Sequence, residues 1–295
     1  MTAFAPSVDD LLGLNWQGSK MDLRFTSSLS RAEWVALANE LRRSLPDAVI
    51  EQAVRQWPDA VYDEVGAFTV DALKARRDRL PAAAEAYYEM LAHTVDVVGT
   101  DKHERFEVTR LNDDEVQVAV YKTKKDGEID YELFRRTFLR SETEEVRLYG
   151  LGGDDTFVVA GDAGGGLRVR AVGGEGEDAF LDRSTRRRTA RVNYFYDTKE
   201  GNTWDVAPGT RVVRSDAPDV NAYEMHRFQF DRAKPMLSFD YDSDDGVFVG
   251  GGIQMTRHGF RKEPYAARHQ LSANYAPRSQ GYNVRYEGDF VRIWN

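Results

Sequence analysis

The chain contains no cysteine, so disulfides, thiolate metal sites and thiol nucleophiles are excluded, and the redox compartment leaves no trace. No stretch approaches the roughly 18 apolar residues that a membrane-spanning helix needs. That absence does not touch strand-built membrane proteins, whose strands alternate instead of running apolar. An excess of positive charge is also missing. The net charge of −9 and a pI near 5.2 give no electrostatic reason to expect nucleic acid. The five histidines, His93, His103, His226, His258 and His269, are scattered without metal-ligand spacing. There is no Gly-Asn-His or Gly-His-x-His of a two-metal phosphoesterase. A nucleophile elbow, a Walker A loop and a dinucleotide fingerprint are likewise lacking. Adjacent acids such as Asp154-Asp155 and Asp244-Asp245 point apart, so they cannot flank a glycosidic bond at the roughly 5–9 Å that such chemistry requires. The first ten residues show no basic n-region and no apolar h-region, so an exported protein would take its signal from sequence ahead of Met1, with residence in the cytoplasm as the rival reading.

What is present begins with helices. Ser30-Arg-Ala-Glu33 reads as a capping box, followed by Trp34, Leu37, Leu41 and Leu45 on one stripe. Pro46-Asp47 opens a second helix carrying Val49, Ile50, Ala53 and Val54. A third is expected from about Val70 to Leu80, through the basic segment Lys74–Arg79, and a fourth from Ala82 to Val98, opened by Pro81. Basic and acidic residues alternating in the 74–79 segment read first as a solvated face with local ion pairs.

At Gly99 the period changes to two, and fourteen Tyr with fifteen Phe lean the remainder toward β structure. Runs 106–108, 116–121 and 129–134 form an antiparallel meander, with turns at 112–114 and 125–127. Glu145–Phe157 is then echoed by Arg168–Phe180 at a constant offset of 23 residues. Two glycine-turn rungs are expected, cornered by Gly150 and Gly153 in the first and by Gly173, Gly174 and Gly176 in the second. One further period lands on Val192, without the Gly-Asp motif. Asp155 and Asp178 are expected to accept backbone N–H groups within their own turns. The second copy also fits the Gly-Gly-x-Gly-x-Asp pattern of calcium β-rolls, which makes Asp155 and Asp178 weak calcium candidates. Leu151 stands where the first copy wants glycine. Acids gathered there need something positive beside them: calcium, or Arg168 and Arg170.

Arg183, Arg186, Arg187, Arg188 and Arg191 place five arginines in nine residues. They read as partners of local carboxylates or as a patch for lipid phosphates, and they lack the aromatic interleaving of a nucleic-acid site. From Met236 the pattern changes again. Runs 236–241, 247–256, 269–275 and 282–286 alternate apolar or aromatic residues with polar or small ones, around brief turns that include Asp245-Gly246. This fits either a barrel with a wet lumen or a soluble sheet with one buried face.

Arg147–Phe157, Gly173–Phe180, Phe239–Gly250, Thr256–Tyr265 and Leu271–Pro277 together resemble the C-terminal region of bacterial outer-membrane proteins with a BamA/TamA-like (bacterial surface antigen) barrel. Val70–Pro81 and Asp96–Lys102 resemble the spacer ahead of such barrels. Some relatives carry a calcineurin-like metallophosphoesterase domain further upstream. The resemblance implies an α+β chain with a helical spacer (1–98), an antiparallel meander (99–144), a glycine-turn repeat (145–205), a linker (206–235) and incomplete barrel strands (236–295). It implies a non-enzymatic structural segment in the outer membrane, partnered by lipid, by the rest of its own barrel or by an envelope protein, with no obligatory cofactor. The alternative is a ligand-, lipid- or partner-binding module of a larger envelope phosphoesterase whose catalytic domain lies outside this chain.

Overall fold

The computed structural model describes residues 4–8, 10–163, 166–186 and 192–291. The fold is α+β, helical at the N-terminus and mainly strands thereafter, in two compact units, Met1–Tyr223 and Glu224–Asn295.

The first unit opens with helices α1 (Leu11–Asn15), α2 (Ser19–Phe25), α3 (Arg31–Ser44), α4 (Asp47–Arg55) and α5 (Asp59–Ala92). The capping box is present: Ser30 Oγ accepts the Glu33 N–H, while the Ser30 N–H donates to Glu33 Oε2 at 2.7 Å. Trp34 packs on Tyr87 and Tyr88, but Leu37 and Leu41 of the expected stripe are exposed and Ala38 is buried in their stead. The basic segment is paired. Arg77 meets Asp47 at 2.6 Å and Lys74 meets Glu51 at 2.5 Å, tying α5 to the start of α4.

Two helix boundaries differ from expectation. Pro81 lies inside α5, because buried Thr69, Val70 and Ala72 on one side of it, and Tyr87, Tyr88 and Leu91 on the other, anchor both halves. That packing offsets the missing N–H and the ring clash, which together cost about 3 kcal/mol in an unsupported helix. The second difference is at 94–98, where the expected helix is a strand: Val95 and Val97 each point into the β core.

That core belongs to a stack of parallel rungs. One sheet takes β1 (Thr94–Val98), β5 (Glu145–Gly152), β7 (Arg168–Glu175), β10 (Asn193–Asp197) and β12 (Arg211–Arg214), in that order and all parallel. The facing sheet takes β2 (Glu104–Arg110), β6 (Thr156–Ala163), β8 (Ala179–Asp182) and β11 (Thr203–Val206), also parallel. Strands β3 (Glu115–Thr123) and β4 (Ile129–Leu139) extend that sheet antiparallel from β2, and the two-residue β9 (Thr185–Arg186) pairs with β6. The meander is therefore joined to the rungs through β2. The two rungs read from the sequence are the middle pair of four, β1–β2, β5–β6, β7–β8 and β10–β11. Val146↔Val169 and Phe157↔Phe180 keep the 23-residue offset. The β3–β4 hairpin sits between the first rung and the second, and the register widens by its length.

Alternate residues of both sheets fill the interior. Val146, Leu148, Val169, Ala171 and Phe195 face Phe106, Phe157, Phe180 and Val159. Down one column the rings of Phe106, Phe157, Phe180 and Trp204 stack with centroids 4.6, 5.0 and 4.4 Å apart. A parallel stack places the same residue type over itself on every rung, so one aromatic column serves all four.

Helix α6 (Pro218–Asn221) ends the first unit's elements. The second unit is one antiparallel sheet in sequence order: β13 (Arg232–Asp242), β14 (Gly246–Gly259), β15 (Lys262–Ala276) and β16 (Gly281–Phe290). It is open, with β13 and β16 at its edges among the described residues. The turn before β14 is held by Asp242 Oδ1, which accepts the Asp244 N–H at 2.9 Å, and Gly246 takes φ +83° beside Asp245.

Candidate functional site

Pairing in the second unit sorts its side chains into two faces. On one face Phe239, Val249, Tyr275 and Tyr282 form a row across all four strands. Leu237, Gly251, Ala273 and Val284 form the next row, then Pro235, Ile253, Leu271 and Tyr286. The large side chains here are exposed, up to 78% for Leu237 and 81% for Tyr282. The opposite face carries Ser238, Gly250, Asn274 and Asn283 in one row and Lys234, Gln254, Gln270 and Glu287 in another. Its polar groups bond to one another: Asn274 Nδ2 donates to Asn283 Oδ1 at 2.8 Å, and Arg285 pairs with Asp240. Glycine is required on this polar face. A Cβ on Gly250 would lie 1.9 Å from the Ala273 carbonyl oxygen, and one on Gly252 would lie 2.2 Å from that of Leu271. The neighbouring strand thus lies too close on the polar side for a side chain at either position.

The second candidate is the corner of the rung stack. Each rung turns through the same spacing: Gly99-x4-Glu104-x-Phe106, Gly150-x4-Asp155-x-Phe157, Gly173-x4-Asp178-x-Phe180 and Asp197-x4-Asn202-x-Trp204. The acids do not cap their own turns as expected; they bridge rungs. The Glu104 N–H donates to Asp155 Oδ1 at 2.7 Å, the Asp155 N–H to Asp178 Oδ1 at 2.8 Å, and the Asp178 N–H to Asn202 Oδ1 at 2.7 Å. Asp154 bridges rungs on the outside in the opposite sense, accepting the N–H of Glu177 from the following rung. The physical reason is geometric. A parallel stack sets equivalent corners side by side, so the nearest unpaired N–H belongs to the adjacent rung.

Gly150 and Gly173 leave room for these carboxyls. A Cβ on Gly150 would meet Asp155 Oδ2 at 2.2 Å, and one on Gly173 would meet Asp178 Oδ2 at 2.2 Å and Asp197 Oδ2 at 2.0 Å. Gly153, Gly174 and Gly176 take φ of +104°, +119° and +130°, and Leu151 adopts φ +77° in the place that Gly174 fills one rung on. Arg168 and Arg170 do not neutralise the corner. Arg170 meets Glu145 at 2.8 Å and Arg168 pairs with Glu144, at the other end of the rung. Burial pushes Asp155 up to about 8 and Asp178 up to about 9.

Among the described residues no three His, Asp or Glu side chains are grouped to hold a metal ion. The single Asp-x-His triplet, Asp101-Lys102-His103, serves the corner: His103 Nδ1 accepts the Asp154 N–H at 2.9 Å. Of the arginine run, Arg183 is exposed after β8 and Arg186 ends β9. Arg187, Arg188 and Arg191 lie outside the described residues. Sequence reasoning missed Glu104, Asp197 and Asn202. The Gly/Asp-x4-acid/amide-x-aromatic spacing was the signal, hidden by the inserted hairpin and by a fourth rung that carries amide and Trp instead of acid and Phe. Compared with family models, curated proteins and solved structures, the chain matches none.

Proposed function

We propose that this chain is a structural, non-catalytic segment of a bacterial outer-membrane protein. In this reading the four-stranded sheet is part of a barrel wall, and the helical and rung-stack unit is a periplasmic or surface region ahead of it. The observation that carries the reading is the pairing of an exposed apolar face with a glycine-lined, self-bonded polar face on one sheet. A soluble two-layer protein would turn its Phe, Tyr, Leu and Val rows inward, where burying each large side chain is worth about 1.5–3 kcal/mol. A wall between lipid and a wet lumen needs the reverse. The apolar band on β14 runs from Val247 to Met255 before Arg257 ends it. Such a length approaches the 9–11 residues (roughly) that a tilted strand needs to cross hydrocarbon.

The absence of cysteine makes the test direct. Single-cysteine variants at positions 271 to 275 of the full chain, each carrying an environment-sensitive dye, are mixed with phosphatidylcholine vesicles holding lipid-attached nitroxides. Dyes at 271, 273 and 275 should be quenched and those at 272 and 274 spared. Equal quenching at all five positions, or no association with vesicles, overturns the reading.

A further inference from the structure

Three buried carboxyl groups meet at the corner of the rung stack, and each is satisfied on one oxygen only. Asp155, Asp178 and Asp197 are 1%, 1% and 0% exposed. Their Oδ1 atoms accept N–H groups: from Glu104, from Asp155, and from Thr198 and Asn221 respectively. None of the three Oδ2 atoms receives a donor. Each has another oxygen close by. Asp155 Oδ2 and the Gly173 carbonyl oxygen converge on the point where a Gly150 Cβ would sit, at 2.2 and 2.3 Å, and Asp178 Oδ2 and Asp197 Oδ2 converge above Gly173. Two buried oxygens brought together without a side-chain donor are satisfied by a hydrogen between them.

The charged surroundings supply no substitute. Around Asp155 stand Glu104 from β2, Lys122 from β3, Asp154 from its own corner and Asp178 from the next; Lys122 reaches Glu104 at 3.5 Å. Around Asp178 stand Asp155 and Asp197, and around Asp197 the neutral Asn202 and Asn221 with Asp178. Asp182, at 4% exposure, is a control within the same stack. Ser184, Asn193 and Thr210 donate to both its oxygens, and it is held below the usual carboxylate range despite its burial. Rung four supplies the complementary case. Asn202 does with an amide what Asp155 and Asp178 do with acids: its Oδ1 accepts from the preceding rung while its Nδ2 donates to Thr198. The position takes a neutral group that both accepts and donates.

We propose that Asp155, Asp178 and Asp197 form a proton-held latch along the rung stack: protons between oxygens of neighbouring rungs lock the corner, and their loss in alkaline solution releases it. Asp155 Oδ2–H donates to the Gly173 carbonyl and Asp178 Oδ2–H to Asp197 Oδ2, so the corner binds two protons that an unfolded chain would have released. The sign follows. Carboxyls raised in the folded state contribute stability that is complete below the unfolded value near 3.8 and is lost as pH rises through about 8 and about 9. Ionising the corner sets charged oxygens of neighbouring rungs against one another away from water, and their repulsion pushes apart the rungs that the protons joined.

Infrared difference spectra of the full chain in detergent micelles, with and without carboxyl-labelled aspartate, test the latch. At pH 7 the protein should show the C=O band of a protonated aspartic acid, fading as pH is raised through 8 to 9. The Asp155→Asn/Asp178→Asn pair should lack that band. Denaturant unfolding supplies a second readout. Two retained protons make the unfolding constant rise about a hundredfold per pH unit between pH 5 and 7, relative to the double variant. A wild-type protein without the band at pH 7, or a double variant with an unchanged pH slope, overturns the proposal. If the double variant does not fold, the wild-type band and its titration decide alone.

Discussion

Gly173 is the residue on which the corner turns. Its missing side chain is the space that Asp178 and Asp197 occupy, and a methyl group there would sit 2.0 Å from one carboxyl oxygen and 2.2 Å from the other. Neither oxygen can retreat without leaving its neighbour. Gly173→Ala should therefore destabilise the protein by about 3 kcal/mol, the upper range for overpacking a rigid site, read as a lower urea midpoint. Ser30→Ala is a milder case, because it removes one capping acceptor from a helix that also packs through Trp34. Its expected loss is about 1 kcal/mol.

At the scale of elements, the rung stack is held by columns. The aromatic column of Phe106, Phe157, Phe180 and Trp204 and the hydrogen-bonded column of Asp155, Asp178 and Asn202 run in parallel, two residues apart in sequence. Phe157 has a stacked ring on both sides and 1% exposure, whereas Trp204 at the end of the column is only partly buried. Phe157→Ala should cost about 3–5 kcal/mol, and Trp204→Ala distinctly less, since water reaches one side of that site. Equal losses in parallel denaturation curves would show that the column does not act through burial. The hairpin β3–β4 leaves this logic intact, because it adds to the edge of β2 and leaves the stacked pairs in register.

On the scale of the whole molecule, the second unit presents one apolar and one polar face. Under the outer-membrane reading, Leu271→Arg places a cation in the middle of the apolar band and should weaken vesicle insertion by about 2–4 kcal/mol. Gln270→Arg, one residue before it, half-buried and facing the polar side, should leave insertion nearly unchanged. Flotation of the full chain with phosphatidylcholine vesicles separates the two variants. Equal behaviour would place both positions in the same medium and remove the two-faced wall.

Much of this was legible in the residues. The capping box, the switch from helix to strand near Gly99, the 23-residue echo and the alternation after Met236 are local patterns, and local backbone chemistry carries them. The helix through Pro81 was not legible, since its continuity rests on Tyr87, Tyr88 and Val70 being anchored by distant partners. Nor was the strand at 94–98, whose helix-compatible valines are drawn into pairing with residues about fifty positions later. The corner shows the division most plainly. That Asp155 and Asp178 recur with glycines five residues before them is written in the order of the residues. That those acids reach across to the preceding rung, lie beside Asp197 and stand close to other oxygens away from water comes from how the rungs pack. A carboxyl's partner and its charge are set by what packs against it in space, and in a parallel stack that neighbour lies a whole rung away along the chain.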